Sequence, residues 1–282
     1  FTVPADCSQP VNVEWTQAVD QIRWVAYSSP NPNPEGGFYQ PTSEVIHQDL
    51  LVLKKAGFTG LVTYSSFGVM GNEFITVAES LGFDGIIMGV WDPTNKGELK
   101  NAKNAALSSS IVLGYSIGNE GFDTRRDRYT IMELCSAIAS LRAATGKPVT
   151  TSEEIDDFYR RPELYLVGDW YFPNVHPYWH FTKYPEAAVE WQVEQFERFS
   201  RGTDRFVLFK EVGLPTDGAF GLSETSHDLY YRGLAKTDVR FVYFEAFDQP
   251  SKTHASVEPH WGLFRSTRRP CRLLPILQRT CR

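Results

Sequence analysis

The sequence lacks the features that mark several classes of protein. No apolar run approaches the roughly 18 residues that a bilayer-spanning helix needs, so we expect no membrane span in this chain. Basic residues are not in excess, because 28 Lys and Arg stand against 34 Asp and Glu and the net charge is -6. Nucleic acids and anionic membrane surfaces are bound through basic faces, and we therefore expect neither as a partner.

Cysteine is scarce, and the spacing of the four cysteines argues against a metal site with cysteine ligands. The four residues Cys7, Cys135, Cys271 and Cys281 do not have metal-ligand spacing, although their even number permits disulfides. We expect Cys271 to pair with Cys281, or one of them with Cys7; whether Cys135 is bonded or a buried free thiol stays open. The chain begins at Phe1 without a Met, which indicates a mature secreted, periplasmic or cell-wall-associated chain or an excised domain.

What the sequence does contain is one structural unit repeated eight times. Short runs rich in β-branched and aromatic residues alternate with longer amphipathic segments, which is typical of β/α units. The predicted strands are residues 23–28, 60–65, 84–91, 111–120, 147–153, 174–179, 205–211 and 240–248. The predicted helices are residues 43–56, 72–81, 96–107, 129–145, 186–200 and 223–235, with a weaker one within 154–165.

Eight such units predict a closed α/β fold, the (β/α)8 TIM barrel. Nearly continuous apolar strands suit a parallel sheet buried on both faces. No Gly-x-Gly-x-x-Gly follows an early strand, which argues against a dinucleotide-binding sheet. A chain of 282 residues fits one barrel domain of roughly 250 residues, so we expect residues 1–282 to be a single catalytic domain that acts as a monomer. Residues 265–282 would form a tail that packs on the barrel.

Polar and aromatic side chains stand at the ends of the predicted strands. In a β/α barrel the chemistry lies at the carboxyl ends of the strands, so these side chains define a candidate site. They include two acids, Glu120 and Glu211, that close strongly apolar strands. The candidate substrate-binding residues at or near the strand ends are Tyr27, Tyr64, Asn119, Glu153, His176, Tyr178, Trp179, Tyr243, Glu245, Phe247, Asp248, Lys252 and Trp261.

Two carboxyl groups at one barrel mouth indicate glycoside chemistry. Cleavage of a glycosidic bond needs one protonated acid and one carboxylate, which Glu120 and Glu211 can supply. Asn119 would donate to a sugar hydroxyl, and His176 would orient a carboxylate. Lys210 could tune the charge of Glu211, but strand alternation predicts that it points away. The acidic run from Glu153 to Asp157 lacks nearby His and EF-hand spacing, so we expect no metal.

The motifs resemble those of glycoside hydrolase family 17, the β-1,3-glucanase and glucanosyltransferase family. The resemblance rests on four segments spread over most of the chain: Ile-Gly-Asn-Glu at 117–120, Asn-Val-His-Pro-Tyr-Trp at 174–179, Lys-Glu-Val-Gly at 210–213, and Tyr-Phe-Glu-Ala-Phe-Asp at 243–248 followed by Lys252 and by His-Trp-Gly-Leu-Phe at 260–264. It implies a β/α barrel, double displacement with retention, and no metal or organic cofactor.

The resemblance also implies a role for each acid. Glu120 would be the general acid/base and Glu211 the nucleophile, with the carboxyl groups about 5 to 5.5 Å apart. It would place Tyr64, Asn119, Glu153, Tyr178, Glu245 and Lys252 around the cleft.

The expected function is therefore a retaining hydrolase of β-1,3-glucan, with a β-glucan oligo- or polysaccharide as its partner. A transglycosylase using the same two glutamates is the close alternative, since only the acceptor differs. A carbohydrate-binding barrel without turnover is a third possibility, but it would be expected to have lost one of the acids. Exo or endo action stays open.

Overall fold

The computed structural model describes residues 3–33, 37, 39–122, 126–180 and 182–271. Within these ranges, helices and strands alternate along most of the chain. The strands are β1 (Trp24–Ala26), β2 (Gly60–Val62), β3 (Gly85–Val90), β4 (Val112–Ile117), β5 (Val149–Thr150), β6 (Phe209–Val212) and β7 (Phe241–Tyr243). The helices are α1 (Val13–Asp20), α2 (Ser43–Lys55), α3 (Glu73–Ser80), α4 (Lys96–Ser108), α5 (Ile131–Thr145), α6 (Ile155–Arg160), α7 (Pro185–Ser200) and α8 (Glu224–Leu234).

Local signals explain where the helices begin and end. Thr42 caps α2 by accepting from the Val45 N–H, and Thr130 and Glu133 form a capping box at the start of α5. Helix α5 ends at Gly146, whose φ of 65° is a left-handed conformation that glycine adopts without a steric penalty. Helix α1, which precedes the first strand, was not among the predicted helices.

The strands form one curled parallel sheet. Their order is β5-β4-β3-β2-β1-β7-β6, and every ladder between neighbours is parallel. All carboxyl ends of a parallel sheet lie at the same edge, so the polar residues that follow these strands share one side of the molecule.

The predicted sixth strand, residues 174–179, differs from the expectation. Asn174 makes only isolated parallel bridges, to Glu154 on one side and to Lys210 on the other, and Pro177–His180 is a 3₁₀ helix. Prolines explain the irregularity, because Pro173 and the first residue of the 3₁₀ helix have no N–H to donate to a ladder. The described sheet therefore has seven regular strands, with this segment between β5 and β6.

Alternate residues of each strand are buried in two different clusters. Val25 and Leu61 pack in the larger cluster, between the sheet and the helices. Trp24 and Val62, their strand neighbours, pack in a second cluster on the concave face. A Cβ at Gly60 would lie 2.5 Å from the Trp24 ring, so the large indole requires a glycine beside it. Burial on both faces explains why the strands read as almost continuous apolar runs.

The cysteines do not pair as expected. Cys7 is bonded to Cys135 on α5, 128 residues away in sequence. Cys271 is a buried free thiol, and Cys281 lies outside the described residues. The expectation that Cys7 pairs with a cysteine of the tail is therefore wrong. The sequence offered no spacing rule that could connect the amino-terminal segment to α5.

The start of the predicted tail contacts the segment after β7 and helix α2. Phe264 makes bridges to Phe247 and to Pro270, and the Arg268 guanidinium donates to the buried Asp49 carboxylate at 2.7 Å. Residues 272–282 lie outside the described residues, so packing of the whole tail stays a prediction. Over the part of the chain that is described, no helix has the length and apolar character needed to cross a membrane.

We predict that the Cys7–Cys135 disulfide is a large contributor to stability, because it closes a loop of 128 residues in the unfolded chain. Cys135→Ser should lower the free energy of unfolding by about 2–5 kcal/mol, measured by chemical denaturation without reductant. The matched control is Cys271→Ser, which replaces the buried free thiol and should have a smaller effect. Equal denaturation midpoints for wild type and Cys135→Ser would contradict the prediction.

Candidate active site

Both candidate acids have an unusual backbone conformation. Glu120, just after β4, has φ 50°, and Glu211, within β6, has φ 54°. Among the described residues the only other positive-φ residue that is not glycine is Arg268. This region costs an L-residue of order 1 kcal/mol or more and tends to persist at functional sites, where the surrounding structure enforces it. The two acids stand out from the other carboxylates on backbone geometry alone.

The conformation of Glu211 also corrects the expectation for Lys210. Strand alternation would turn these neighbours to opposite faces, but the β6–β7 register shifts between Phe209 and Val212. Together with the positive φ of Glu211, this irregularity lets both side chains point into the mouth of the sheet. The Lys210 Nζ lies 3.4 Å from the Glu211 Oε1, and Lys210 is 1% exposed.

A continuous line of polar contacts connects the two acids. The Asn174 amide donates to the Glu120 Oε1 at 2.6 Å and to the Asn119 Oδ1 at 3.1 Å. Lys210 Nζ donates to that same Asn119 oxygen at 2.6 Å and sits beside Glu211. The positions of the two carboxyl groups are therefore fixed relative to one another through side chains that are themselves buried.

Glu211 lies in a strongly cationic environment. Its carboxylate is buried and lies 3.3 Å from the His176 Nε2 as well as beside Lys210. Burial by itself would raise the pKa of Glu211, but Lys210, His176 and Lys252 outweigh it and lower the pKa to about 2. Burial would lower the pKa of His176, yet its hydrogen bond to Glu211 and the nearby carboxylates raise it to about 9. Glu211 is thus held ionised beside an imidazolium.

The surroundings of Glu120 shift its pKa in the opposite direction to that of Glu211. Burial raises its pKa, and the negative charge of Glu211 raises it further, against the smaller effects of His176, Asn174 and Lys210. One carboxyl group is therefore held as an anion and the other is biased toward its protonated form, in a single site. Such a separation of pKa values is how two carboxyl groups take different roles in acid–base chemistry.

A second ion pair borders the site. Lys252 Nζ donates to the buried Glu245 Oε1 at 2.9 Å, and burial raises the pKa of Glu245 to about 7 despite this lysine. The Tyr64 ring lies under the Lys210 ammonium, 4.4 Å from its Nζ. Burial and the Glu211 charge raise the pKa of the Tyr64 hydroxyl, so it stays a neutral donor beside the carboxylate.

Aromatic rings form the wall beside His176. The buried Trp261 ring is 5.3 Å from the imidazole and 6.3 Å from Tyr178, and Tyr178 lies 4.9 Å from Trp179. Trp179 is 44% exposed, so its ring is available to a ligand. Aromatic faces of this kind suit the C–H faces of sugars. The structure therefore brings the predicted residues Tyr178, Trp179 and Trp261 to the same side as the acids.

Besides Glu153, whose buried carboxylate accepts from Gly121 and Tyr129, four predicted site residues are not brought to the acids. Tyr27 is buried and its hydroxyl donates to Asp49 at 2.9 Å. Tyr243 is fully buried against Tyr231 of α8, on the helix side of the sheet. Phe247 packs against Phe264, and Asp248 pairs with Arg265 at 2.9 Å. These side chains support the fold behind and beside the site.

Comparison with known proteins assigns the chain to a family. The sequence model of the BtgE/BtgC glycoside hydrolase domain matches residues 25–262. The chain belongs to this glycoside hydrolase family. Among curated proteins, none matches the chain.

Solved structures show the same fold. A family 17 β-1,3-glucanosyltransferase from Rhizomucor miehei superposes with a TM-score of 0.72 at 22% identity, over 90% of this chain and 96% of that one. An endo-laminarinase from Formosa gives 0.71 at 16% identity, over 91% and 86%. A β-1,3-glucanase and pollen allergen of Cryptomeria japonica gives 0.65 at 15% identity, over 89% and 98%. At these identities the likeness establishes a TIM-barrel-like fold.

Two residues beside Glu120 were not assigned a role from the sequence, namely Glu154 and Asn174. Glu153, predicted to bind substrate, is fully buried and accepts from the Gly121 N–H and the Tyr129 hydroxyl, both at 2.7 Å. Its neighbour Glu154 instead faces Glu120. Asn174, which holds Glu120, was part of a recognised motif but was not assigned a role. The sequence does show two consecutive glutamates, Glu153 and Glu154, at the end of a predicted strand. The alternation of side chains along a strand does not by itself tell which of the two faces the site.

Within the described residues, one group of acids and histidine is compact enough to resemble a cation site. Single ligand atoms of Glu120, Glu154 and His176 lie within 4.8 Å of one another. The pKa of His176, raised to about 9 mainly by its hydrogen bond to Glu211 after the opposing effect of burial, keeps the imidazole protonated near neutral pH. A protonated imidazole has no lone pair for a cation, so a cation bound there would have to displace this proton.

Replacing Lys210 should displace the pH dependence of this glycoside hydrolase. Lys210→Met removes the cation that most lowers the pKa of Glu211, so that pKa should rise and the acidic limb of kcat/KM should move to higher pH. We expect kcat/KM to fall on the order of 10²-fold, as when one stabilising donor is removed from an active site. The control is Lys236→Met, an exposed lysine after α8. An unmoved acidic limb in folded Lys210→Met would contradict this role.

Proposed function

We propose that this glycoside hydrolase cleaves β-1,3-glucosidic bonds with retention, using Glu211 as the nucleophile and Glu120 as the general acid/base. The observation that carries the proposal is the contrast between the two acids. The pKa of Glu211 is lowered to about 2, because Lys210 and His176 outweigh the effect of burial, whereas burial and Glu211 raise that of Glu120. Membership of family 17, which the motifs and the solved structures support, belongs to this proposal.

The proposed reaction has two displacements. The Glu211 carboxylate attacks the anomeric carbon while Glu120 transfers its proton to the departing glycosidic oxygen, which leaves a glucosyl ester on Glu211. Glu120, now a carboxylate, then takes the proton of an incoming hydroxyl as that oxygen attacks the same carbon. The ester bond to Glu211 breaks and Glu120 regains its proton. Two inversions give retention, and we propose carboxyl groups about 5 to 5.5 Å apart, as retaining chemistry requires.

The surrounding residues have supporting roles in this scheme. Lys210 and His176 stabilise the Glu211 carboxylate before attack, and the neutral Tyr64 hydroxyl can donate to it. Asn119 is turned toward Lys210 and Asn174 and can donate its amide N–H groups to the sugar 2-hydroxyl. The exposed ring of Trp179 would stack on a bound glucose unit. No step in the scheme uses a metal or an organic cofactor.

Transglycosylation by the same pair is the second candidate. The superposed structures include both a glucanosyltransferase and an endo-laminarinase, and the incoming hydroxyl can belong to water or to a sugar. Hydrolysis and transfer share every step up to the glucosyl ester. They differ only in whether a sugar bound beside Glu120 excludes water.

We also propose a closed barrel, an oxidising compartment and a monomeric state for this enzyme. The bridges of Tyr171 and Asn174 to the β6 side and of Asn174 to Glu154 support closure of the sheet into an eight-membered barrel within a single domain. The Cys7–Cys135 disulfide fits an oxidising compartment, as expected for a secreted, periplasmic or cell-wall-associated enzyme. We propose that the enzyme acts as a monomer on β-glucan chains.

Replacement of either acid tests the assignment of roles. Glu211→Ala should lower kcat on laminari-oligosaccharides by at least about 10⁴-fold, since the nucleophile is lost while the fold is kept. Glu120→Ala should retain more turnover on a substrate with a highly acidic leaving group, because such a group needs no proton. Glu190→Ala, at an exposed site on α7, is the control. Substantial turnover of Glu211→Ala would remove Glu211 from its role.

The products distinguish hydrolysis from transfer. We predict that a time course on laminari-oligosaccharides at low concentration gives shorter products, with the newly formed anomer detected first as the β form by NMR. Products longer than the starting material at high concentration would assign transglycosylation to the enzyme. Initial release of the α anomer would contradict retention, and loss of activity in excess chelator would contradict the metal-free scheme.

A further inference from the structure

A third carboxyl group, Glu154, faces the proposed general acid. It lies between β5 and α6 and is partly exposed. One of its carboxyl oxygens lies within 4.8 Å of an oxygen of Glu120 and of a ring nitrogen of His176. Its backbone is fixed by a parallel bridge to Asn174, the residue whose amide holds Glu120 at 2.6 Å. The two carboxyl groups are therefore held near one another by the same short segment.

Ordinary structural roles do not account for Glu154. It occupies the N-cap position of α6, but its side chain makes no capping hydrogen bond there. Among the described residues, no Lys or Arg forms a salt bridge with it. Its neighbour Glu153, in contrast, has both oxygens engaged by buried donors. The side chain of Glu154 is thus left to face Glu120 and the open part of the site.

Two carboxyl groups this close are poorly compatible with full ionisation of both. Like charges in a partly buried site raise one pKa strongly, and the pair then titrates in two separated steps. Between those steps the pair carries one proton. The charged groups that face the pair are Glu211 and Lys210 from β6, and His176 from the segment after α6.

We propose that Glu154 is a positioning residue that shares one proton with Glu120 and so keeps the general acid supplied with a proton toward alkaline pH. The inference rests on the proposed function, because it concerns how Glu120 serves as the acid. The proton passes from the pair to the leaving oxygen in the first displacement, and the incoming hydroxyl returns one to Glu120 in the second. The proton count of the pair is the same before and after one turnover.

The electrostatics agree with this geometry. Burial raises the pKa of Glu154 to about 8, with further increases from Glu120 and Glu211 and an opposing effect of His176. Without Glu154, Glu120 would titrate in one step at the lower pKa of the pair. The activity that requires a protonated acid would then be lost at lower pH than in the wild type.

The test is the pH dependence of kcat/KM in Glu154→Gln. We expect the basic limb of its kcat/KM profile to move to lower pH by at least one unit. Near pH 5, where Glu120 stays protonated in both proteins, the loss of kcat/KM relative to the wild type should be smaller than at alkaline pH. Glu154→Asp can still share a proton, so its basic limb should lie between those of the wild type and Glu154→Gln. Asp156→Asn is the matched control, since it removes a nearby partly exposed carboxylate that is not among the largest influences on the pKa of Glu120.

A second measurement does not depend on turnover. Titration of ¹³C-labelled glutamate side chains by NMR should show the Glu120 carboxyl responding in two steps in the wild type and in one step in Glu154→Gln. An unmoved basic limb together with an unchanged titration of Glu120, in variants that retain the wild-type circular dichroism, would overturn the inference. Wild-type protein without glycosidase activity would refute the proposed function, and the titration would still decide proton sharing.

Discussion

The buried contact of Glu211 with Lys210 and His176 is the interaction on which the site depends. A carboxylate that is only 4% exposed could not stay ionised without opposite charge at close range. The positive φ of Glu211 makes the contact possible, because it turns two consecutive residues of β6 toward the same face. Through Asn119, the lysine of this contact also fixes the neighbourhood of Glu120.

The same arrangement separates the roles of the acids. Glu211 is placed between two cations, while Glu120 is placed against an amide and another carboxyl group. The charge of Glu211 raises the proton affinity of Glu120, so each acid helps to define the state of the other. Because the environments differ, one parallel sheet edge would provide, in the proposed reaction, an anion for attack and a proton for the leaving oxygen.

Much of this could be predicted from the sequence, for identifiable reasons. Strands buried on both faces leave long apolar runs, and acids that close such runs are rare, which is why Glu120 and Glu211 are the candidates that the sequence indicates. The alternation of side chains along a strand gave the wrong orientation for Lys210, because the backbone there departs from a regular strand. It also could not choose between Glu153 and Glu154 at the end of β5. The disulfide depends on a contact across 128 residues, which no local pattern encodes.

The proposed mechanism requires that Glu211 forms a covalent bond to the sugar. It is tested most directly by incubating the enzyme with a 2-deoxy-2-fluoroglucoside that carries a good leaving group, followed by proteolysis and mass spectrometry. The fluorine slows both displacements, and the leaving group restores the first, so the glucosyl ester should accumulate. We predict one fluoroglucosyl unit on the peptide that contains Glu211. A label on another carboxylate, or active enzyme that never acquires a label, would contradict it.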